Sequence, residues 1–285
     1  MGNTLFTATG CSRCKITKKF MEEHGISFQE MDIKTEGKDP FALFYRNNRS
    51  SVYRGKEGIE FPVFTDGMIV RQGVGAVIAF LHGGTRLDGF IGRSDLSHGW
   101  MDGIHVSGGG PALTDDLAEV LGYIRKNGLK VQLDTNGKNA SVLQKLLDQG
   151  LGDRVIMDLK GPMPLYSALL GEEIDPQEIH RTMELVTKFP EYRFETTVAP
   201  VFGYGSDTGD TGGVRYLTPE EIGDTAKWIK EVTASNKRPY VLRVFDPGTS
   251  PDPRFKTIEK LDPNTLLRYR SAARKHQVLT ELEKD

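Results

Sequence analysis

The sequence predicts an α/β protein, because apolar, strand-like runs alternate with helix-like segments along most of its 285 residues. The pattern of strand-like and helix-like segments changes near residue 83 and again near residue 103, which divides the chain into three parts. Residues 1–83 are predicted to form a small domain in the order β-α-β-α-β-β-α. From residue 103 the pattern becomes repeated strand-then-helix units, which predict a parallel sheet, open or curved into a partial barrel. A Gly-rich polar stretch at residues 84–102 is predicted to be the linker.

Local patterns place the elements of the first domain. Strands are predicted at residues 3–7, 26–33, 61–64 and 68–70, and helices at 14–24, from Asp39-Pro40 onward, and at 73–82. Ile16 and Phe20 lie four residues apart, on one face of the first helix. Asp66-Gly67 is a hairpin turn signal between the last two strands.

The second domain repeats a strand and a helix. Strands are predicted at residues 103–106, 129–133, 154–158, 192–198 and 239–245. Between them lie helices with an apolar face, and a glycine-rich loop is expected at residues 203–213. In such alternating folds functional groups lie on the loops after the strands. The informative loops contain Gly108-Gly109-Gly110-Pro111, Asp134-Thr135-Asn136-Gly137 and Asp158-Leu159-Lys160.

Composition narrows the classes of function. The net charge is −2, so there is no electrostatic argument for binding nucleic acid or an anionic membrane surface. The sequence has no run of 18 apolar residues, and its N-terminus lacks the pattern of a signal peptide. We therefore expect a cytoplasmic protein without a membrane span.

The two cysteines of the sequence, Cys11 and Cys14, form a C-x-x-C motif between a predicted strand and a predicted helix. The N-terminus of a helix favours a thiolate, which is the form that attacks disulfides. Cys11 is therefore the predicted nucleophile and Cys14 the predicted resolving thiol. Two adjacent buried core cysteines are the alternative. A metal site would need two more ligands, and the six histidines are scattered, so no metal ligand is assigned.

The segments TLFTATGCSRCKITKKF and FPVFTDG resemble the glutaredoxin and thioredoxin superfamily over roughly residues 3–83. The resemblance implies a cis peptide bond before Pro62, beside the attacking cysteine, and an approach loop at Thr9 and Gly10. Glutaredoxins usually carry a lysine three residues before the first cysteine, where this chain has Ala8. This departure puts glutathione binding in doubt but leaves the dithiol intact.

The segments GIHVSGGGP, LKVQLDTNG, RVIMDLKGPMPLY and RFETTVAP resemble, in order, the radical S-adenosylmethionine superfamily, especially activating enzymes of glycyl-radical proteins such as anaerobic ribonucleotide reductase. The resemblance implies S-adenosylmethionine binding at these loops. The residues it implicates are Gly108, Gly109, Gly110, Pro111, Asp134, Thr135, Asn136, Asp158 and Lys160. Gly110 stands where that family has an acidic residue, and Asp134 and Asn136 are alternatively interpreted as turn residues.

The second domain lacks the family's C-x-x-x-C-x-x-C motif, whose three thiolates hold a [4Fe–4S] cluster. We therefore do not expect a self-sufficient radical enzyme. The leading hypothesis is a thiol–disulfide oxidoreductase that acts on a protein or small-molecule disulfide, with a cluster-less domain that positions the substrate or partner.

Three alternatives stay open. Cys11 could hold an iron–sulfur cluster together with glutathione and a second protomer. The second domain could bind S-adenosylmethionine and serve a radical enzyme as an accessory subunit. The dithiol could also be a redox sensor on a scaffold.

Overall fold

The computed structural model describes residues 2–55, 58–93, 99–202, 213–250 and 252–283. The chain folds into two compact units. The first unit contains Met1–Asp134 and Lys145–Asp153, and the second contains Thr135–Gln144 and Arg154–Asp285. Among the described residues, no helix is both long and apolar enough to cross a bilayer.

Strands and helices alternate along much of the chain. The strands are β1 Asn3–Thr7, β2 Phe28–Asp32, β3 Arg54–Gly55, β4 Gly58–Ile59, β5 Val63–Thr65, β6 Val70–Gln72, β7 Trp100–His105, β8 Lys130–Thr135, β9 Arg154–Asp158, β10 Glu191–Val198, β11 Pro200–Phe202, β12 Val214–Tyr216, β13 Tyr240–Val244 and β14 Thr280–Leu282. The helices are α1 Ser12–Glu23, α2 Lys38–Asn47, α3 Val74–Gly83, α4 Thr114–Lys126, α5 Ala140–Asp148, α6 Met163–Leu170, α7 Pro176–Val186, α8 Pro219–Thr233 and α9 Leu266–Arg274.

The N-terminal part contains a mixed four-stranded sheet in the order β2-β1-β5-β6. Strand β1 runs parallel to β2 and antiparallel to β5, and β6 is antiparallel to β5. Successive side chains of a strand point to opposite faces, so neighbours on β1 enter different cores. One core cluster contains Leu5, Met21, Phe64 and Val77. The other contains Phe6, Phe41, Val52 and Val63.

The segment predicted as a linker carries regular structure at both ends. Gly84–Phe90 forms a 3-10 helix, in which Leu87 and Phe90 are fully buried. Strand β7 begins at Trp100, three residues before the predicted strand. The buried side chains of Leu87 and Phe90 explain why this end of the segment is folded rather than an open linker. Burying them offsets the conformational entropy that a glycine-containing segment loses when it takes up a fixed structure. Residues 94–98 lie outside the described residues.

The later strands form a parallel six-stranded sheet in the order β14-β13-β10-β9-β8-β7. All five predicted strands are present, which confirms the mixed α/β class with a parallel sheet. Strand β14 was not predicted, because only one of its three residues is buried and no apolar run marks it. The short hairpins β3–β4 and β11–β12 were not predicted either. Strand β11 is apolar and mostly buried, but it has only three residues and a single residue separates it from β10. The loop predicted at 203–213 lies, except for its last residue, outside the described residues.

Candidate functional site

The two cysteines lie at the start of α1 and are joined by a disulfide, with their Cα atoms 5.3 Å apart. Cys11 is the N-cap residue of α1, and the backbone N–H of Cys14 donates a hydrogen bond to Cys11 Sγ over 3.1 Å. Cys11 is partly exposed, whereas Cys14 is only 2% exposed. An N-cap sulfur meets helix N–H groups and the positive end of the helix dipole, both of which favour a thiolate. The pair can therefore offer one accessible nucleophile and one sheltered resolving thiol.

A second loop approaches the cysteines from the edge of β5. The Phe61–Pro62 peptide bond is cis, as the glutaredoxin and thioredoxin resemblance implies. The carbonyl oxygen of Phe61 lies 3.8 Å from Cys11 Sγ. The backbone N–H of Gly73 donates to the carbonyl oxygen of Pro62 over 2.8 Å, which fixes the loop from its other side. The structure thus brings Pro62 and Cys11 into one site.

The predicted approach loop directly precedes the nucleophile. Gly10 has a φ of 81°, a left-handed conformation that favours glycine. The Thr9 hydroxyl donates to Asp32 Oδ2 over 2.7 Å. A backbone hydrogen bond from Lys34 and this one from Thr9 hold the pKa of Asp32 below its usual value. The loop before Cys11 is therefore anchored to the end of β2.

An ion pair beside the cysteines was not predicted from the sequence. Arg13 stands between the two cysteines, and its Nη1 atom lies 2.6 Å from Glu60 Oε1. Its Nη2 atom donates to the carbonyl oxygen of Trp100 over 2.7 Å. The Arg13 and Glu60 side chains are only 13% and 18% exposed. The sequence carries no local signal for this pair, because its members lie 47 residues apart.

The Gly-rich loop after β7 packs closely against the chain's own backbone. A Cβ atom on Gly108 would overlap the carbonyl oxygen of Gly89, and one on Gly109 would overlap the ring of Phe90. A Cβ atom on Gly110 would have no atom within 4 Å. Close packing against Gly89 and Phe90 therefore explains why residues 108 and 109 are glycines. Only the third position is open to another side chain.

Other predicted residues of this loop region lie at strand and helix ends of the first unit. Pro111 begins the 3-10 helix Pro111–Leu113, which leads into α4. Asp134 lies opposite His105 in the register of β8 with β7. Its carboxylate accepts a hydrogen bond from Gln132 over 3.1 Å. The structure thus places Asp134 at the carboxyl end of its strand, where the sequence predicts functional groups.

In the second unit a buried tyrosine joins two predicted loops. The Tyr166 hydroxyl donates to the carbonyl oxygen of Asn136 over 2.8 Å and to that of Asp158 over 3.5 Å. Tyr166 is fully buried, and this burial raises the pKa of its hydroxyl above the usual range. Thr135 accepts a hydrogen bond from the backbone of Gly137. The structure therefore brings together the residue 135–137 and 158–160 loops, and Tyr166 is the member that sequence reasoning missed.

Charged side chains cluster where β9 and β10 run side by side. Asp158 pairs with Lys160 through its Oδ2 atom, and its buried Oδ1 atom has no hydrogen-bond partner among the described residues. Glu195, directly opposite Asp158 in the register, is buried and forms ion pairs with Arg193 and Arg243. An unpartnered buried carboxylate oxygen is costly unless a donor reaches it. Asp158 Oδ1 is therefore an acceptor left for a water molecule or for a donor group of a ligand.

Within the described ranges, no group of three or more His, Cys, Asp and Glu side chains is arranged to hold a metal ion.

Comparison with known proteins gives a likeness to one class of enzyme, although no protein-family model matches the chain. The chain is 28% identical over 192 residues to a protein of Methanocaldococcus jannaschii named "Putative glycyl-radical enzyme activating enzyme MJ1227". The match covers 64% of this chain and 71% of that protein. It confirms that part of the chain resembles activating enzymes of glycyl-radical proteins.

Proposed function

We propose that the chain is a thiol–disulfide exchange component of a glycyl-radical enzyme activating system. The proposal depends on one observation: a partly exposed Cys11 bonded to a buried Cys14 at the start of α1. The likeness to an activating enzyme suggests the class of partner, a glycyl-radical enzyme. The proposal adds that this partner carries a reducible disulfide. Residues 1–83 would carry the chemistry, residues 84–102 would link the domains, and residues 103–285 would position the partner.

The fold of the N-terminal part supports this division. Apart from the short β3–β4 hairpin, its elements follow the order β-α-β-α-β-β-α, and this order and the mixed sheet fit the glutaredoxin and thioredoxin resemblance of residues 1–83.

The exchange needs no cofactor. In the reduced protein the Cys11 thiolate attacks one sulfur of the partner's disulfide, forms a mixed disulfide and releases the other partner sulfur as a thiolate. The Cys14 thiolate then attacks Cys11 Sγ, which breaks the mixed disulfide and releases the second partner thiol. The partner gains two electrons, and the protein is left with the Cys11–Cys14 disulfide seen in the structure. An external dithiol restores the reduced protein by the reverse sequence.

An iron–sulfur cluster held by this chain alone does not fit these residues. The family's [4Fe–4S] cluster needs three thiolates from one loop, and the sequence has two cysteines. The structure bonds these two to each other. We therefore derive no step through a cluster. A cluster shared with glutathione and a second protomer stays a prediction, and iron and sulfide assay after anaerobic purification would check it.

Trapping tests the proposal. In a Cys14→Ser protein the first attack can occur but the mixed disulfide cannot be resolved, so the radical enzyme should accumulate as a covalent adduct of Cys11. Mass spectrometry of the adduct identifies both half-cystines. A Ser12→Ala protein, altered at an exposed neighbouring residue, serves as control and should accumulate no adduct. Absence of any adduct with an oxidised radical enzyme would contradict the proposal.

A second candidate function is binding of S-adenosylmethionine by the later part of the chain. The observation that favours it is Asp158 Oδ1, a buried acceptor without a partner in the described part of the chain. Asp158 and the neighbouring backbone of Asn136, held by Tyr166, would accept hydrogen bonds from the ligand's ammonium or hydroxyl groups. The bound cofactor would present a sulfonium centre. Calorimetry tests the binding directly, and no heat at millimolar cofactor would exclude it.

The loop at residues 108–111 has a test of its own: if it binds S-adenosylmethionine, Gly110→Glu should strengthen the binding, because it restores the acidic residue of the family's loop. Gly110 has φ −76° and ψ 130°, which any residue adopts, and its Cβ position is open. A charge-assisted hydrogen bond to the ligand's ammonium group would contribute about 1.5–3 kcal/mol, or roughly tenfold or more in affinity. Calorimetry measures the change, with Gly110→Gln as the uncharged control. Equal affinity in the two variants would contradict a role for the acid.

A further inference from the structure

The side chain of Glu60 lies beside the start of α3. A Cβ atom placed on Gly73, which precedes α3, would lie 3.2 Å and 3.3 Å from the two carboxylate oxygens of Glu60. Glu60 and residues 72–76 line the same small cavity. Gly73 provides no side-chain cap for the helix. Because N–H groups and the helix dipole attract anions at a helix start, Glu60 fills an anion-attracting position with the chain's own charge.

Arg13 holds this carboxylate in place. Its guanidinium lies 2.6 Å from Glu60 Oε1, and both side chains are mostly shielded from water. A second hydrogen bond, from Arg13 to the carbonyl oxygen of Trp100, fixes the guanidinium itself. Charge-assisted hydrogen bonds are strong where solvent is largely excluded. Glu60 is therefore a fixed charge rather than a side chain that swings freely in solvent.

The backbone that carries the fixed carboxylate lies close to the reacting sulfur. Arg13 follows Cys11 by two residues on the same helix. Glu60 directly precedes Phe61, whose carbonyl oxygen lies 3.8 Å from Cys11 Sγ. A small thiol compound joined to Cys11 by a disulfide therefore sits within a few ångströms of the backbone that carries Glu60. Carboxylates on such a compound would meet a like charge and find the start of α3 already occupied.

We propose that Glu60 determines the specificity of Cys11 by excluding small thiols with carboxylates near the sulfur, the chemistry of glutathione. Cys11 then reacts preferentially with disulfides that have no carboxylate near the sulfur, such as a disulfide of a protein partner. This inference rests on the proposed function. Removing the charge of Glu60 should favour the adduct with a carboxylate-bearing thiol for two reasons. It removes the repulsion between the two carboxylates, and it allows the Arg13 guanidinium to pair with the carboxylate of the thiol.

The test measures which mixed disulfide forms on Cys11. A Cys14→Ser protein is equilibrated with glutathione disulfide and bis(2-hydroxyethyl) disulfide, each with equal concentrations of its thiol, and mass spectrometry gives the ratio of adducts. In each exchange the Cys11 thiolate forms one mixed disulfide and releases one thiolate from the small disulfide. The two exchanges therefore have the same stoichiometry, and the ratio of adducts compares them directly. Adding Glu60→Gln should raise the ratio of glutathione to 2-mercaptoethanol adduct about tenfold. Glu22→Gln, which removes an exposed carboxylate from α1, should leave the ratio unchanged.

Ionic strength provides a second measurement that needs no variant at residue 60. Added salt screens the repulsion, so the ratio should rise with salt when Glu60 is present and respond less in the Glu60→Gln protein. An unchanged ratio in a folded Glu60→Gln protein, or a ratio insensitive to salt, overturns the inference while leaving the exchange chemistry intact. Failure of Cys11 to form either adduct overturns both the inference and the proposed function.

Discussion

Replacing Cys11 with serine is expected to lower disulfide-reduction turnover by about a thousandfold or more, because the neutral hydroxyl of serine is a far weaker nucleophile than a thiolate. Cys11 is the partly exposed sulfur at the helix N-cap, so no other sulfur of the chain can make the first attack from that position. The measurement is turnover of a protein disulfide with excess dithiol as reductant. Retention of even a tenth of the wild-type rate would contradict the assignment.

The two cysteines should behave differently in this assay. Cys14 is buried and acts second, so Cys14→Ser should stop multiple turnover but retain one rapid, stoichiometric attack. The exposed residue between them provides the matched control, because Ser12→Ala changes the same helix turn without altering a sulfur. If Cys14→Ser rather than Cys11→Ser abolished the first attack, the assigned roles of the two cysteines would be exchanged.

Local sequence patterns predicted the parts of the redox site that depend on neighbours in sequence. A C-x-x-C motif before an apolar helix places two sulfurs on one helical turn. The cis bond before Pro62 was implied by the glutaredoxin and thioredoxin resemblance instead, because an X–Pro bond by itself favours the trans form. The Arg13–Glu60 pair could not be predicted in this way. Its members come from α1 and from the loop before β5, and only the folded sheet brings them within hydrogen-bonding distance.

Strand prediction succeeded for every strand of five or more residues, and the strands that it missed have only two or three residues. Strand β9 has three consecutive buried residues, and the sequence shows them as an apolar run. Strand β14 has one, so its pairing with β13 is determined by the backbone of the sheet rather than by its own side chains. Tyr166 was missed for a related reason. Its apolar neighbours on α6 identify a helix, and nothing local reveals that its hydroxyl reaches two strand-end loops.

The run Gly108-Gly109-Gly110 shows how one motif can have two physical origins. As a sequence it resembles a cofactor loop with its acid lost. In the structure Gly108 and Gly109 are required by contact with Gly89 and Phe90, whereas a Cβ atom on Gly110 would meet no neighbour. The presence of the first two glycines therefore says nothing about cofactor binding, and only substitutions at the third position address it.

Gly109→Ala is expected to destabilise the protein by about 3 kcal/mol, because its methyl group would overlap the fully buried ring of Phe90. Gly109 has φ −101° and ψ 167°, which alanine adopts without strain. The unfolded chain loses the same entropy in any Gly→Ala change, so the difference from a second such variant measures packing. Gly110→Ala is the matched control, and its open Cβ position predicts a change within about 0.5 kcal/mol. Thermal denaturation should show a midpoint lower by roughly 6–12 °C for Gly109→Ala only. Equal midpoints for the two variants would mean that the loop does not pack on Phe90. Ligand binding, rather than packing, would then be the better explanation for the glycines at positions 108 and 109.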